Sequence, residues 1–427
     1  MTSRSAAAGS AFTHQLQKIR VREHQLRYEG WRVVAACGVG AFFATVPLNT
    51  FAIFLKPLCD HFSWSRESAA SVYGALTLSA AASAPWLGSL IDRRGARKVI
   101  LPALAVSACA VASLAALTSA LWHFRVVFGV LGVAMMGASP IAYSRVIFGW
   151  FDEYRGRALG VMLIGAAVSG IILPPISQVL ITMAGWRVAW LALGGTTLAI
   201  ALPVGVTWIR ECQPLGRDAA LGSRAVTVAA ALRSRVFWTL MVVVFGGTAA
   251  TNGAIVHMVA LLTDRGVPAS HAALSVSAMG GASLVGRLVT GWLLDRFAAA
   301  RVSTTMLVIV ALGTFLLAAA HSLAAGIVAA ACIGFGSGGE VDVVPYLLSR
   351  YFGLQSLSTL YGLNWTAWGL AGAAGPILLG RAFDASGSYG SALFQLGLLT
   401  LITAGLMLRL PPASLSAPSD SVDAEPA

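Results

Sequence analysis

Four charged side chains stand inside long apolar runs of this 427-residue chain: Arg125, Arg287, Glu340 and Asp342. A charge at the centre of a membrane helix costs roughly 2.5–3.5 kcal/mol on insertion scales, so four left unpaired would cost about 10–14 kcal/mol. That equals the stability of a whole domain. Each must therefore pair or face water, and what such groups offer is reversible binding of a charged solute. Arg287 presents a planar fork that bonds a carboxylate bidentately and stays charged at every physiological pH. It is the candidate anion-binding residue, the alternative being an ion pair that only ties helices together. Arg125 is a candidate for coupling or for scaffold. Glu340 and Asp342 lie about 200° apart round a helix and cannot share one partner, so one is free to anchor structure while the other lines a cavity. His257, deep in an apolar run, titrates near neutral pH if it meets water, and a satisfied core imidazole is the plainer reading. Asn49 and Asn252 can orient a small solute or bond between helices. Trp365, with Trp368 beside it, can wall a pocket or simply pack.

Bond-breaking chemistry is not indicated. The chain has no H-E-x-x-H, no G-x-S-x-G and no paired metal-ligand cluster, and no inter-run loop is long enough for a catalytic domain. Neither an enzyme, a metal nor a cofactor is expected. The five Cys are odd in number, scattered and without a C-x-x-C, which argues against a disulfide framework.

The elements that must position these groups are membrane helices. The chain is 57% hydrophobic and 11% charged, with a mean hydropathy of +0.78, where soluble proteins average about 25% charged residues. Apolar runs near 33–55, 68–91, 99–118, 121–144, 157–182, 188–209, 237–262, 270–294, 302–321, 324–348, 358–380 and 389–409 predict twelve spans. The expected fold class is an all-α membrane protein. Its partners are then the bilayer and a solute rather than nucleic acid, because the net charge of +12 comes from loop cations. Of the 29 Lys and Arg, 22 fall on the face that carries the N-terminus, five on the other, and Arg125 and Arg287 inside helices. The positive-inside rule then places both termini in the cytoplasm. Residues 1–28 are polar and basic without an apolar core, so a cleaved signal peptide is not expected.

Five segments follow: a cytoplasmic tail 1–32, a six-helix bundle 33–209, a linker 210–236 with five Arg, a second six-helix bundle 237–409, and a tail 410–427 expected to be disordered. The halves echo one another. Asn49 and Ile53 correspond loosely to Asn252 and Ile255, and Tyr143, Arg145, Trp150 and Phe151 to Tyr346, Arg350, Tyr351 and Phe352. Parallel halves about an axis along the membrane normal are the predicted arrangement. Glycines at 156, 160, 165 and 170, and at 362, 369, 372 and 375, suit close helix contact. Pro174, Pro175, Pro345 and Pro376 are expected to interrupt helices or mark their ends, beside a cavity. Trp86, Trp186, Trp190, Trp208 and Trp238 read as interfacial belt residues.

Between the second and third runs, Gly88, Asp92, Arg93, Gly95 and Arg97 make the pattern G-x-x-x-D-R-x-G-x-R. Here Gly95 permits a tight reversal, and the cations suit helix C-termini and an anionic lipid surface. Gly291, Asp295, Arg296 and Arg301 form a weaker copy about 200 residues on. This resembles the loop signature of the major facilitator superfamily, and Arg125-x-x-x-Gly129 resembles that family's helix-four signature, linked there with proton coupling. Within the superfamily three further features are similar to the monocarboxylate porter and oxalate/formate antiporter group. They are Glu29-Gly30-Trp31; the helix-five opening Trp150-Phe151-x-x-x-Arg155-x-x-Ala158-x-Gly160-x-x-x-x-Gly165; and Arg287-x-x-x-Gly291. The resemblance implies a fold of two pseudo-symmetric six-helix halves and a substrate carboxylate held by Arg287. It also implies a conformational latch formed by Gly88 to Arg97 with Asp295 and Arg296. The animal members' proton-handling pair is not reproduced: Ser283 stands where they carry Asp, and Leu48 and Asn49 follow Pro47 where they carry Lys. Coupling would then fall to Glu340, Asp342 or His257, with uniport or exchange left open.

The expectation is a monomeric alternating-access carrier of a small organic anion, a monocarboxylate, with proton coupling left open, in a bacterial inner membrane. An efflux carrier for a lipophilic compound is the same-class rival, needing no buried Arg. A non-transporting membrane sensor with the same fold is the rival from another class.

Overall fold

The structure, a computed structural model, describes residues 28–117, 119–151, 154–211, 228–294, 296–352 and 357–411. Residues 1–27, most of the linker with Cys212, Asp295 and the tail from 412 lie outside the described residues, as do the side chains of Asp92 and Asp342.

Apolar runs with no water to bond their backbone must close every hydrogen bond within the segment, and helices do this. Twelve membrane-length helices are found among the described residues. We number them α1 (Glu29–Phe62, bent at Thr45), α2 (Arg66–Arg94), α3 (Arg97–Ser113), α4 (Leu121–Trp150, bent at Ala138 and Ser139), α5 (155–184) and α6 (186–208). The second six are α7 (Arg235–Asp264), α8 (Ala269–Leu294), α9 (Ala299–Ala319), α10 (Leu323–Phe352), α11 (Leu357–Ser386) and α12 (Gly390–Leu408). By length and composition alone, ten stretches could cross a membrane. One of them, Arg157–Trp208, holds two helices. It folds back at Gly185, whose φ of 81° is open to glycine. The 30-residue α11 stands outside those ten, its apolarity diluted by Asn364, Ser358 and its many glycines.

Two expectations are corrected here. Pro174 and Pro175 do not interrupt α5, nor does Pro376 interrupt α11; both helices run through them, because in a packed bundle neighbouring groups re-satisfy the freed carbonyls. The breaks come instead at Thr45 and Ser139, each just before a segment with Pro in its first turn, where a missing N–H is harmless. Trp186 and Trp190 are core residues rather than belt residues. Trp190 is fully buried and stacked on Phe54 at 3.7 Å, whereas Trp86, Trp208 and Trp238 are exposed as expected.

The helix pairing has internal symmetry. Within the first half α1 packs on α5, α2 on α4, α3 on α4 and on the α5–α6 segment; within the second, α7 packs on α11, α8 on α10, α9 on α10 and α12. Adding six to each number maps one set onto the other. The two halves meet through α2 with α11, α5 with α8, and α1 with α7. This is the all-α, two-half membrane fold expected from the sequence.

Glycines set how closely the helices approach. A methyl group on Gly165 of α5 would overlap the Gly38 carbonyl of α1, whereas one on Gly160, a turn earlier, would meet nothing within 4 Å. Gly165→Ala should therefore destabilise the purified protein by about 1–3 kcal/mol through overpacking. Gly160→Ala should be neutral or gain a few tenths from helix propensity. Melting curves in detergent check this; equal melting temperatures for the two variants would contradict the packing.

Candidate functional site

Each half leans on the other along only part of its length. On α11, a Cβ at Gly380 would lie 2.6 Å from the Glu67 nitrogen of α2, and one at Gly369 would lie 2.8 Å from the Thr77 carbonyl. Further along, a Cβ on Gly88 of α2 or Gly362 of α11 would have nothing within 4 Å among the described residues. The second crossing behaves alike. A Cβ on Gly280 of α8 would come 2.9 Å from the Gly170 backbone of α5, while Gly160 and Gly291 face open space. Both pairs touch toward one face and splay toward the face on which α1 begins and α12 ends. The molecule is closed on one side and open on the other.

The closed side is held by carboxylates of the second half on the first. Asp264, the last residue of α7, accepts from Lys56 Nζ at 3.1 Å and from Arg66 Nη2 at 3.1 Å. Asp384, in the last turn of α11, accepts from the backbone N–H groups of Arg66 and Glu67, each at 2.8 Å. It thus caps the N-terminus of α2 from across the interface. Arg66 is buried, and its guanidinium also lies over the Phe383 ring at 4.9 Å.

Between the crossings lies a cavity of about 310 Å³. It is faced by one stripe of α7 (Thr248, Thr251, Asn252, Ile255), one of α8 (Met279, Gly280, Ser283, Arg287) and one of α11 (Tyr361, Asn364, Trp365, Trp368). These spacings each trace a single helical face. A second cavity of about 640 Å³, lined by Trp31, Tyr154, Arg157 and apolar residues of α5 and α8, shares Leu284 and Arg287 with the first. Together they form a path from the open face to the centre, with Arg157 near its mouth and Arg287 at the junction.

The structure brings most of the expected residues to this place. Arg287, Glu340, Asn49, Asn252 and Trp365 all line the central cavity. Asn49 donates to Ser169 Oγ at 2.6 Å, and Ser169 also bonds Thr45 at 2.6 Å. Asn252 accepts from Tyr73 Oη at 2.6 Å and donates to the Thr248 carbonyl at 3.1 Å. Both amides are thus partly committed to protein partners. Glu340 is 6% exposed, and its Oε1 has no hydrogen-bond partner among the described residues. Its carboxyl fills a notch left by Gly247 of α7, where a Cβ would lie 2.7 Å from both oxygens.

Two candidates fall elsewhere. Arg125 is not a buried charge: it sits in the second turn of α4, exposed, donating to Ser71 Oγ of α2 at 2.9 Å. Its run was apolar because the neighbours are, not because the position is deep. His257 is fully buried behind the cavity, its Nε2 donating to the Pro376 carbonyl at 2.8 Å and its ring 5.1 Å from that of Tyr389. Since a carbonyl only accepts, Nε2 carries the proton.

Among the described residues, Arg97 of the polar loop after α2 contacts its own half. Gly95 has φ 88°, which makes the reversal. Arg97 donates its backbone N–H to the Glu211 carboxylate and its guanidinium to the Val206 carbonyl at 2.7 Å. Arg93 is exposed, and Arg296 lies over the Trp292 ring at 3.9 Å. Sequence reasoning missed Glu211, Tyr73, Ser169, Tyr361 and the Asp264 and Asp384 locks. The signal for the last two was present: an acid in the final turn of a helix opposes the helix dipole and needs an outside partner.

Two six-helix halves around a central cavity that opens to one face define a membrane transporter. The family model of the Major Facilitator Superfamily matches residues 37–376 and 282–424, and the chain belongs to that superfamily. It is 28% identical over 403 residues to "Monocarboxylate transporter 11" of Homo sapiens, spanning 90% of this chain and 83% of that one. It is 26% identical over 375 residues to "Uncharacterized MFS-type transporter YcxA" of Bacillus subtilis, spanning 83% and 88%. Among solved structures, the bacterial homologue of the human lysosomal transporter Spinster, in an inward-facing and unoccupied conformation, superposes with a TM-score of 0.65. It has 16% identity, over 90% of this chain and 95% of that one. The shared fold and relatives are those of transporters and not of enzymes.

Removing the cross-interface cap tests the lock. Loss of an N-cap is worth about 0.5–2 kcal/mol, so Asp384→Ala should raise the population open at the closed side roughly two- to thirtyfold. Spin labels at Glu67 and Ala385, on a cysteine-free background, should report a new, longer distance. An unchanged distance distribution would show that Asp384 does not hold this face.

Proposed function

We propose that the protein carries a small organic anion, a monocarboxylate, across a bacterial plasma membrane by alternating access, with both termini in the cytoplasm. The observation that carries this reading is the placing of Arg287 at the junction of the two cavities, on the route between the open face and the centre. A guanidinium there neutralises a carboxylate as it leaves water, and Arg287 is the one cation among the described residues lining the central cavity. The 28% identity to a monocarboxylate transporter supports the same class. The excess of cations on the open face supports its cytoplasmic orientation. Each chain contains a whole cavity, so we assign a monomer as the working unit. The bundles 33–209 and 237–409, joined by the linker 210–236, are the bodies that rock. Coupling to protons is assigned to Glu340, the carboxyl that meets the cavity without a cation bonded to it among the described residues.

In the cycle so described, an anion enters from the open face, passes Arg157 and reaches Arg287. Closing α2 on α11 and α5 on α8 near Gly88, Gly362, Gly160 and Gly291 would seal the open end, while Asp264 and Asp384 release Arg66 and α2.

Uptake of radiolabelled monocarboxylates into proteoliposomes, with and without an inward proton gradient, tests both assignments. A charge-assisted bond is worth about 1.5–3 kcal/mol, so Arg287→Ala should weaken apparent affinity by about ten- to 150-fold, with Arg287→Lys intermediate. Glu340→Gln should keep counterflow exchange while losing the response to the gradient. Normal uptake by a folded Arg287→Ala protein would remove the carboxylate site.

A further inference from the structure

We infer that the substrate is a ring-bearing monocarboxylate, a single carboxylate on a short linker to a flat aromatic ring, with Tyr361, Trp365 and Trp368 as its specificity-determining residues. This rests on the reading of Arg287 as the carboxylate-binding residue.

Charge sets the first limit. Among the described residues lining the central cavity, Arg287 is the one cation and Glu340 the one acid. A dicarboxylate would bring a second negative charge toward Glu340 with no cation to meet it. Two of the three amides on the cavity are partly committed to the protein, Asn49 to Ser169 and Asn252 to Tyr73 and Thr248, whereas Asn364 reaches only Met241 Sδ at 3.7 Å and Thr251 Oγ1 has no partner among the described residues. The fitting ligand therefore carries one negative charge.

Size sets the second limit, a lower one. The cavity of about 310 Å³ has room for a ring-bearing acid and continues past Leu284 and Arg287 into the cavity of about 640 Å³, so a two- or three-carbon acid held at Arg287 leaves the aromatic side untouched.

The wall itself sets the third. Tyr361, Trp365 and Trp368 recur at one face of α11, with Tyr361 and Trp365 centroids 6.3 Å apart at 77° and those of Trp365 and Trp368 4.8 Å apart at 60°. The rings tile edge to face, leaving π-faces and edges rather than a smooth aliphatic surface. The Trp365 indole N–H has no hydrogen-bond partner among the described residues, so no bond pins that ring against reorienting on a ligand. A flat ring gains on such a wall beyond its apolar area, by about three- to tenfold in affinity; a puckered ring of equal size gains only the area.

Competition against uptake in proteoliposomes separates these cases, with phenylacetate, cyclohexaneacetate, lactate and oxalate as probes. Wild type should bind phenylacetate about three- to tenfold more tightly than cyclohexaneacetate, and oxalate least. Trp365→Leu should abolish the preference for the flat ring and Trp365→Phe should retain most of it, with phenylacetate affinity falling more than that of cyclohexaneacetate or lactate in Trp365→Leu. If Trp365→Leu fails to fold, the wild-type comparison and Trp365→Phe decide. Equal affinities for phenylacetate and cyclohexaneacetate, or lactate bound more tightly than either, would overturn the ring assignment while the Arg287 dependence of whichever acid binds keeps the carboxylate reading. Absence of competition by every acid, together with no effect of Arg287→Ala, would take both down.

Discussion

Everything in this structure depends on two helix crossings that make contact over only part of their length, α2 with α11 and α5 with α8. Close approach is possible because glycine removes the side chain where one backbone meets another, at Gly369 and Gly380 on one crossing and Gly170 and Gly280 on the other. Without hydrophobic solvent exclusion to drive helices together in lipid, van der Waals contact at such small residues is the main attraction. It is short in range. Where the crossings diverge, at Gly88, Gly160, Gly291 and Gly362, the contact vanishes within a few turns, and the second cavity, beside Gly160, reaches Arg287. One geometric device therefore supplies both the seal and the opening.

The same economy places charge at depth. Glu340 is accommodated because Gly247 leaves a notch for its carboxyl beside the central cavity, which Thr251, Asn252 and Ser337 also line. Two of the cations on the closed side, Lys56 and Arg66, meet Asp264, which stands in the last turn of α7, where the helix dipole would otherwise repel it. Asp384 goes further and uses the dipole of α2, which favours a negative charge at its N-terminus.

The fold was legible in the sequence because the bilayer imposes length and apolarity on every span, and no competing solvent relaxes that demand. Even the α5–α6 reversal showed as a gap between runs around Gly185. What misled was reading depth from hydropathy alone. Arg125 lay in an apolar run yet stands in the second turn of α4, and Trp190 lay near a run end yet is stacked in the core on Phe54. Hydropathy averages over a window, whereas burial is decided residue by residue by which face of the helix meets a neighbour. The central residues Arg287, Glu340, Asn49, Asn252 and Trp365 were visible because a polar or large aromatic group at mid-span is costly without a purpose. Their mutual placement was not, since it depends on which helices cross, and that information is carried by small residues whose spacing is ambiguous in a chain with 45 glycines.

The polar character of the closed side has an energetic consequence for a machine of this kind. A carrier must keep its two end states within a few kcal/mol, since the ligand can shift the balance only by its differential affinity for them. A wide apolar seal would exceed that range at about 25 cal/mol per Å² of buried surface. The partly exposed Lys56–Asp264 pair contributes on the order of 0.2–1 kcal/mol, and a cap such as that from Asp384 about 0.5–2 kcal/mol. Bonds of this size hold the face shut while remaining breakable at each turnover. They also exchange for water when the face opens, because Lys56, Asp264 and Asp384 stand at helix ends rather than at mid-span. The charged groups at mid-span, Arg287 and Glu340, lie instead on the central cavity. The weak, solvent-exchangeable bonds thus stand at the rim and the costly charges at the centre.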